Sequence, residues 1–329
     1  MAQLYSDLDD EIGQFFAQAS ASRAECDDLA RTTFGGLVEP VSVQGATSYT
    51  VVAGLNREKI VQFRNMDAQL DMRMLDLARQ VHGDVVPVGA ALGQIGNDAQ
   101  GQLAIYEMDR LPGDNYALVR TSLAEEPQSQ LAAVHSLASF FAQAWRRPVA
   151  LDQPAISAIA TEFSSRLDAV SSSGVLTDRF GPALDEVREH LPTLVSGDFP
   201  LALTHSDLNE LNILVDGGSG IITGVIDWTD VGIQPFGFTL YVLEKFIGSM
   251  GRDGWIYLDN AGVLRDEFWK AFAHHAGRVS RSQMKSIEAA RKAGYFLRYG
   301  TFYNSGQKGV VGVENMSIEK RRLYLEAIL

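Results

Sequence analysis

The chain has 329 residues, of which 46% are hydrophobic, and this length allows two lobes or domains around a large core. Its formal net charge of −13 argues against binding to nucleic acid or to anionic membranes, because both attract lysine and arginine. A single cysteine excludes an internal disulfide, no apolar run approaches the roughly 20 residues of a membrane-spanning helix, and the acidic N-terminus lacks signal-peptide features, so we expect a cytoplasmic protein.

The first third of the chain combines helical and strand-like patterns. Polar and apolar residues alternate at helical spacing over residues 5 to 33, which predicts one opening amphipathic helix. Strands are predicted at 38–43, 48–53, 59–64, 85–92 and 103–108, and a helix at 67–82. A turn at Pro112-Gly113 separates this strand-rich part from a helix-rich remainder, as an interlobe hinge should.

The remainder of the chain is predicted to be mainly helical. Apolar residues recur at helical spacing from residue 128 onwards, and the predicted helices lie at 128–141, 156–167, 174–194, 236–250, 264–276, 283–303 and 318–328. We see no internal repeat and no long low-complexity tract, and we take a monomer as the default state.

The segment 201–230, LALTHSDLNELNILVDGGSGIITGVIDWTD, carries the strongest functional signal. Its two apolar runs flank turn-forming residues, which predicts a hairpin whose open ends bring Asp207, Asn212 and Asp227 together. Phosphoryl transfer from a nucleotide requires one carboxylate that orients a hydroxyl, and an amide with a second carboxylate that hold Mg²⁺. A hairpin with solvated polar residues is the alternative.

The central segment resembles a known family at two places. HSDLNELNIL resembles the catalytic loop of aminoglycoside phosphotransferases and their choline-kinase-like relatives, and GVIDW resembles their magnesium-binding segment. The resemblance implies an α+β, two-lobed protein-kinase-like fold. Residues 1–110 would form a small lobe with an antiparallel sheet and a leading helix, and residues 111–329 a larger, mainly helical lobe. The tripeptide Asn209-Glu210-Leu211 departs from the residues that the family often has there.

The resemblance also implies roles for single residues of the loop. By position, Asp207 is the catalytic base and His205 positions the loop. Asn212 and Asp227 are the ligands of Mg²⁺, which accompanies ATP in the cleft of such folds.

The third strand holds the predicted phosphate contacts. Val61-Gln62-Phe63-Arg64 overlays the Val-Ala-Ile-Lys pattern of the kinase fold and puts Gln62 and Arg64 on one face. Arg64 would then reach the nucleotide phosphates, although a surface arginine at a strand end is the alternative. Asp71 in the next helix is the candidate partner of Arg64, and two other acidic residues of that helix compete for this place, Asp67 and Asp76.

The adenine site follows from the resemblance alone. It makes residues 104–109 the edge and hinge against which adenine stacks, with main-chain groups near Glu107 and Met108 as hydrogen-bonding partners. Residues 44–48 take the place of a nucleotide-covering loop, although an ordinary hairpin turn fits this segment equally.

Family members build the acceptor pocket from helices of the larger lobe. Seven residues are candidates to line it, with a core position as the alternative for each aromatic one: Trp228, Asp230, Phe236, Tyr241, Glu244, Trp255 and Trp269. Carboxylates near the loop, among them Glu210, Asp230 and Glu244, favour a cationic or neutral acceptor unless they pair with local arginine and lysine.

The sequence therefore predicts an ATP- and Mg²⁺-dependent phosphotransferase with an alcohol group as acceptor. The acceptor would be a small hydroxyl-bearing metabolite or an aminoglycoside-like molecule. One alternative is a catalytically weak, kinase-like regulatory protein that binds a nucleotide or metabolite, because the covering loop is poor in glycine and Arg64 replaces the lysine. A non-catalytic helical interaction module is the other.

Overall fold

A computed structural model describes residues 8–97, 101–302, 309–313 and 316–328. The chain divides into two compact units, residues 1–79 with 86–111, and residues 80–85 with 112–329. Within the described part of the chain, no helix combines the length and hydrophobicity needed to cross a membrane. The end of the predicted helix at 283–303 lies outside the described residues.

The first unit contains an antiparallel five-stranded sheet. Its elements are α1 (Leu8–Phe16), α2 (Arg23–Phe34), β1 (Glu39–Pro40), β2 (Ser48–Ala53), β3 (Lys59–Asn65), α3 (Met72–His82), β4 (Gly89–Ile95) and β5 (Leu103–Asp109). The strand order is β1-β2-β3-β5-β4 and all pairings are antiparallel. The sheet predicted for the small lobe is therefore confirmed.

Alternating side chains of β5 cover both faces of this sheet. Leu103 and Ile105 are buried in one core with Phe63 and the residues of α1 and α2. Ala104 and Tyr106 belong to a separate cluster on the other face. This alternation is the expected consequence of the period of two residues along a strand.

The single opening helix was a wrong prediction, since the structure has two helices with a break between them. Ser22 ends the break as the N-cap of α2, where its hydroxyl accepts a hydrogen bond from the Glu25 amide. The Glu25 carboxylate in turn accepts one from the Ser22 amide. This capping box satisfies free N–H groups at the helix start and therefore favours a new helix here.

Three further boundaries in the first unit differ from the predictions. The helix predicted at 67–82 begins only at Met72, because the Asp71 carboxylate accepts hydrogen bonds from the amides of Arg73 and Met74 and so caps it. The strand predicted at 38–43 shrinks to two residues, and the one at 85–92 is displaced to Gly89–Ile95. The strand β5 lies in the interior of the sheet, so its description as an edge was wrong.

The second unit is mainly helical, as predicted. Its elements are β6 (Asp114–Asn115), α4 (Tyr116–Glu125), α5 (Pro127–Arg146), α6 (Gln153–Ser172), α7 (Gly181–Leu194), β7 (Leu201–His205), β8 (Ile213–Val215), β9 (Ile222–Val225), β10 (Val231–Pro235), α8 (Val242–Ile247), β11 (Gly248–Met250), β12 (Trp255–Tyr257), α9 (Ala261–Ala276), α10 (Arg281–Gly300) and α11 (Ile318–Leu325). Helix α5 packs against α9, and α10 packs against α6, α7 and α11.

The helix predicted at 236–250 was wrong for most of its length. Only Val242–Ile247 is helical, and all six of its residues are buried, including a glutamate and a lysine. The chain then forms a hairpin of β11 and β12. Gly237 has φ +104°, a left-handed conformation that is incompatible with a helix at the start of the predicted segment. The predicted helix at 174–194 starts at Gly181, and α4 was not predicted.

Helix α10 approaches the chain at Phe238 without an intervening side chain. A Cβ atom added to Gly294 would lie 1.7 Å from the Phe238 carbonyl oxygen, so glycine is required at this position. The contact fixes the C-terminal half of α10, which is buried along most of its length.

Replacement of Gly294 by alanine should therefore destabilise the protein by about 2 kcal/mol or more, because main-chain atoms must move to admit the methyl group. Gly262→Ala in α9 is the matched control, because a Cβ atom there would meet nothing within 4 Å. It should be neutral or stabilising by up to about 1 kcal/mol. Equal melting temperatures for the two variants would contradict this description of the packing.

Candidate functional site

The central hairpin has the local geometry that its sequence predicts. Strands β8 and β9 pair antiparallel, and the Asp216 carboxylate accepts a hydrogen bond from the Ser219 amide in the turn that joins them. Gly220 has φ +77°, and a Cβ atom there would lie 2.0 Å from the Ser129 carbonyl oxygen. The strand β6 extends this sheet on one side, while β7 pairs with β10 in a separate two-stranded sheet.

Backbone and side-chain hydrogen bonds bring the four predicted loop residues together. Asn212 Nδ2 donates to the Asp207 carbonyl at 2.9 Å. The Ile226 amide donates to the Asn212 carbonyl at 2.9 Å, and His205 Nε2 contacts the Ile226 carbonyl at 2.8 Å. Because Asp227 directly follows Ile226, the two ends of the hairpin and the loop before it meet at one place.

The contacts of His205 suit a residue that supports the loop. Its side chain is buried, and its ring lies 4.8 Å from the ring of Trp228. The Nε2 atom is occupied by the Ile226 carbonyl, and no partner of Nδ1 exists among the described residues. The role of His205 as a loop-positioning residue remains a prediction.

The chemistry of Asn212 and Asp227 fits a partial magnesium shell. Asn212 uses its amide nitrogen in the loop, which leaves its oxygen as the atom that could bind a cation. Asp227 has φ +60°, an uncommon conformation for a residue other than glycine, and Thr229 Oγ1 donates to its Oδ1 at 2.8 Å. No cluster of three or more metal-ligating His, Cys, Asp or Glu side chains occurs in the described ranges. An amide and a carboxylate suffice for Mg²⁺ that keeps water and phosphate oxygens as its other ligands.

Arg298 on α10 was not among the predicted site residues. Its Nη2 atom lies 2.6 Å from Asp207 Oδ1, and its Nη1 donates to the carbonyls of Val311 and Gly312. Burial works against the charged guanidinium, but its interactions with Asp207, Tyr241, Tyr299 and Glu210 together outweigh this effect, and the pKa of Arg298 is raised above its usual value. One feature of the sequence could have indicated Arg298, because it is a positively charged residue in the apolar, aromatic end of a predicted helix. Its partner Asp207, however, lies 91 residues earlier, beyond the reach of any local pattern.

The predicted nucleotide contacts of the first unit lie on β3, α3 and β5. Arg64 is buried, and its guanidinium donates to Gln62 Oε1 at 3.1 Å and to the Ala68 carbonyl at 2.8 Å. The Asp71 carboxylate contacts Arg73 and caps α3. The pairing of Asp71 with Arg64 stays a prediction. Gln62 and Arg64 are thus hydrogen-bonded neighbours on one face of the sheet.

Glu107 and Met108 occupy the interior strand β5. Each lies opposite one residue of β3 and one of β4. The Glu107 carboxylate contacts Lys59 Nζ at 2.7 Å, and Met108 packs in the cluster around Tyr106. A role of their main chain in binding adenine stays a prediction.

Two of the carboxylates considered for the charge of the site are paired with basic side chains. Glu210 lies 3.3 Å from Lys245 Nζ. Burial of its carboxyl works against the charged form, but Lys245, a main-chain hydrogen bond and Arg120 together outweigh this effect and hold the pKa of Glu210 below its usual value. Glu244 contacts Arg265 at 2.7 Å and Arg291 at 3.1 Å. These pairs largely cancel the negative field that we expected from Glu210 and Glu244.

A cavity of about 660 Å³ lies beside the loop between β7 and β8, within the second unit. One wall is formed by residues of α6 and by Leu151, which precedes this helix. The other wall is formed by β10 and the two residues before it, together with Ser206 and Gly309. The lining residues are Leu151, Ala155, Ala158, Ile159, Glu162, Phe163, Ser206, Thr229, Asp230, Val231, Gly232, Ile233, Gln234 and Gly309. Of the seven candidates for the pocket, only Asp230 lines this cavity, and Trp228, Phe236 and Tyr241 are buried in the core.

Comparisons with known proteins identify solved structures that are similar to this chain. No curated protein matches the chain. A solved structure from Ralstonia eutropha, named as a candidate aminoglycoside phosphotransferase, is 13% identical, with 84% of this chain and 85% of that chain covered and a TM-score of 0.54. The GDP complex of wild-type aminoglycoside 2'-phosphotransferase-IIIa is 14% identical, with 85% and 91% covered and a TM-score of 0.50. A GDP and kanamycin complex of APH(2")-IIia is 14% identical, with 84% of this chain and 91% of that chain covered and a TM-score of 0.50.

These structural likenesses confirm the protein-kinase-like fold of aminoglycoside phosphotransferases. The family model described as "Phosphotransferase enzyme family" matches residues 40–271, and this range includes β7 to β10 with the loop between β7 and β8. Because the match extends over more than half of the chain, the protein belongs to the phosphotransferase enzyme family.

Proposed function

We propose that the protein transfers the γ-phosphate of ATP to a hydroxyl group of a small molecule, with Mg²⁺ as its metal. The observation that carries this proposal is the meeting of Asp207, Asn212 and Asp227 at the open end of one hairpin. Nucleotide complexes of proteins with the same fold support a nucleotide as phosphate donor.

Catalysis at such a site consists mainly of positioning and charge neutralisation. Asp207 accepts a hydrogen bond from the acceptor hydroxyl, orients its oxygen towards the γ-phosphorus and takes the proton late in the transfer. Asn212 and Asp227 would hold Mg²⁺, which neutralises charge on the nucleotide phosphates when it is bound. Thr229 orients the Asp227 carboxylate for this task through its hydrogen bond to Oδ1.

The cavity beside Ser206 and Asp230 is the proposed acceptor site. Its volume lies in the range of about 300 to 1,000 Å³ that is usual for small-molecule pockets. The α6 wall, with Ile159 and Phe163, is apolar, whereas Glu162 and Asp230 are acidic and no basic side chain lines the cavity among the described residues. We therefore propose a neutral or cationic acceptor that also carries an apolar face.

The role of Asp207 is tested by an ATP-consumption screen against a panel of hydroxyl-bearing metabolites with Mg²⁺. Asp207→Asn should lower turnover of the best acceptor by about 100-fold or more, because the amide cannot accept the hydroxyl proton. The same variant should retain nucleotide binding, measured as thermal stabilisation by ATP. Equal turnover in both proteins would remove Asp207 from the chemistry, and a panel without any turnover would favour the regulatory alternative.

The metal site is tested by thermal unfolding of Asp227→Asn. Asparagine tolerates the left-handed backbone at this position, so the variant changes the charge without adding backbone strain. In the wild type, ATP with Mg²⁺ at about 100 times its dissociation constant should add roughly 2.7 kcal/mol to the free energy of unfolding. The magnesium-dependent part of this shift should disappear in the variant. A shift of equal size in both proteins would move the metal to other ligands.

The charge of the acceptor is tested at Glu162. For a cationic acceptor, Glu162→Gln should raise KM about fivefold, which corresponds to roughly 1 kcal/mol for a partly exposed charge pair. KM should also rise as ionic strength increases to about 0.15 M. Asp168→Asn, on the same helix but outside the cavity, is the matched control and should leave KM unchanged. An anionic best acceptor, with KM indifferent to Glu162→Gln, would refute this assignment.

A further inference from the structure

We propose that Arg298 is a positioning residue of the phosphotransfer step. Its guanidinium fixes the orientation of the Asp207 carboxylate and joins the catalytic loop to residues 309–313. The inference rests on the proposed function of Asp207. It assigns a role in the reaction to α10, a helix whose sequence carries no catalytic motif.

The first support is the environment of Asp207 Oδ1. This oxygen is shielded from solvent, and no described group donates a well-aligned hydrogen bond to it. The guanidinium of Arg298, only 14% exposed, lies 2.6 Å away and supplies the compensating charge. A buried carboxylate oxygen without such a partner is strongly unfavourable, so removal of Arg298 would force the carboxylate to rotate or to admit water.

The second support is the position of the same guanidinium between two segments. Its Nη1 donates to the Val311 carbonyl at 3.1 Å and to the Gly312 carbonyl at 3.4 Å. The Val311 amide donates in turn to the Ser206 carbonyl at 3.2 Å, next to Asp207. The loop is therefore held from two sides, through its backbone at Ser206 and through its carboxylate at Asp207.

This arrangement gives the two carboxylate oxygens different tasks. Arg298 holds Oδ1, which leaves Oδ2 to accept the hydrogen bond of the acceptor hydroxyl. Lysine would keep the positive charge but offers a single ammonium group in place of a planar fork that serves the carboxylate and two carbonyls at once. Arg298→Lys should therefore restore only part of the function.

The test is a double-mutant cycle of Arg298→Met and Asp207→Asn, measured as kcat and KM with ATP, Mg²⁺ and the best acceptor of the screen. Arg298→Met should lower kcat by about 100-fold, as expected for a misplaced reacting group, while KM for ATP changes less than about twofold. Arg298→Lys should lie between the wild type and Arg298→Met. In the Asp207→Asn background, both changes at Arg298 should have almost no further effect, because the group that they position is gone.

Arg166→Met is the matched control. Arg166 is another buried arginine that donates to the end of α10, at the Leu297 carbonyl and at Thr301 Oγ1. Its removal should lower the melting temperature without a selective loss of kcat in the protein that remains folded.

Two results would overturn the proposal. The first is a double variant whose fold-loss of kcat equals the product of the losses in Arg298→Met and Asp207→Asn. The second is a loss of kcat in Arg166→Met that is as large as the loss in Arg298→Met. If Arg298→Met does not fold, the cycle with Arg298→Lys decides by the same criterion. Failure of the proposed function is distinguishable, because Asp207→Asn would then leave turnover unchanged in the wild-type background.

Discussion

The site depends on a short relay of hydrogen bonds across the open end of the central hairpin. The Ile226 amide donates to the Asn212 carbonyl, and the Ile226 carbonyl contacts buried His205. These two contacts tie the loop after β7 to the residues after β9, and with the Asn212 amide on the Asp207 carbonyl they bring an amide and two carboxylates to one place. Such prepositioned groups need little reorganisation when a reaction occurs, which is the main source of rate in phosphoryl transfer.

Charge around this relay is balanced residue by residue. Lys245 neutralises Glu210, Arg265 and Arg291 neutralise Glu244, and Arg298 neutralises Asp207. Buried ions of one sign are costly without partners. Lys245 of α8 and Arg298 of α10 supply partners to the loop, and Arg265 of α9 and Arg291 of α10 supply them to Glu244. The net charge of −13 therefore says little about the potential inside the site, and the acidic residues that line the cavity are Glu162 and Asp230.

The sequence predicted those parts of the molecule that local patterns determine. The hairpin, the strands β2 and β5 and most long helices have periodic side chains and turn residues, and the loop residues are close in the chain. Side-chain caps decided two of the boundaries that were wrong: Ser22 begins the second helix of the split pair, and Asp71 sets the start of α3. Helix α8 is buried on all sides and shows no periodicity, and the pairs of Arg298 and Glu244 join residues far apart in sequence. Tertiary contacts of this kind leave no signal in a single sequence.

The proposed function is the transfer of a phosphoryl group from ATP to a hydroxyl of a small molecule. The most direct measurement is phosphorus NMR of the protein with ATP, Mg²⁺ and the acceptor panel. We expect the γ-phosphate resonance to decline as a phosphate monoester resonance grows in equal amount, and we expect chelation of Mg²⁺ to stop both changes. A γ-phosphate signal that stays constant with every acceptor, or one that converts only to inorganic phosphate, would contradict it.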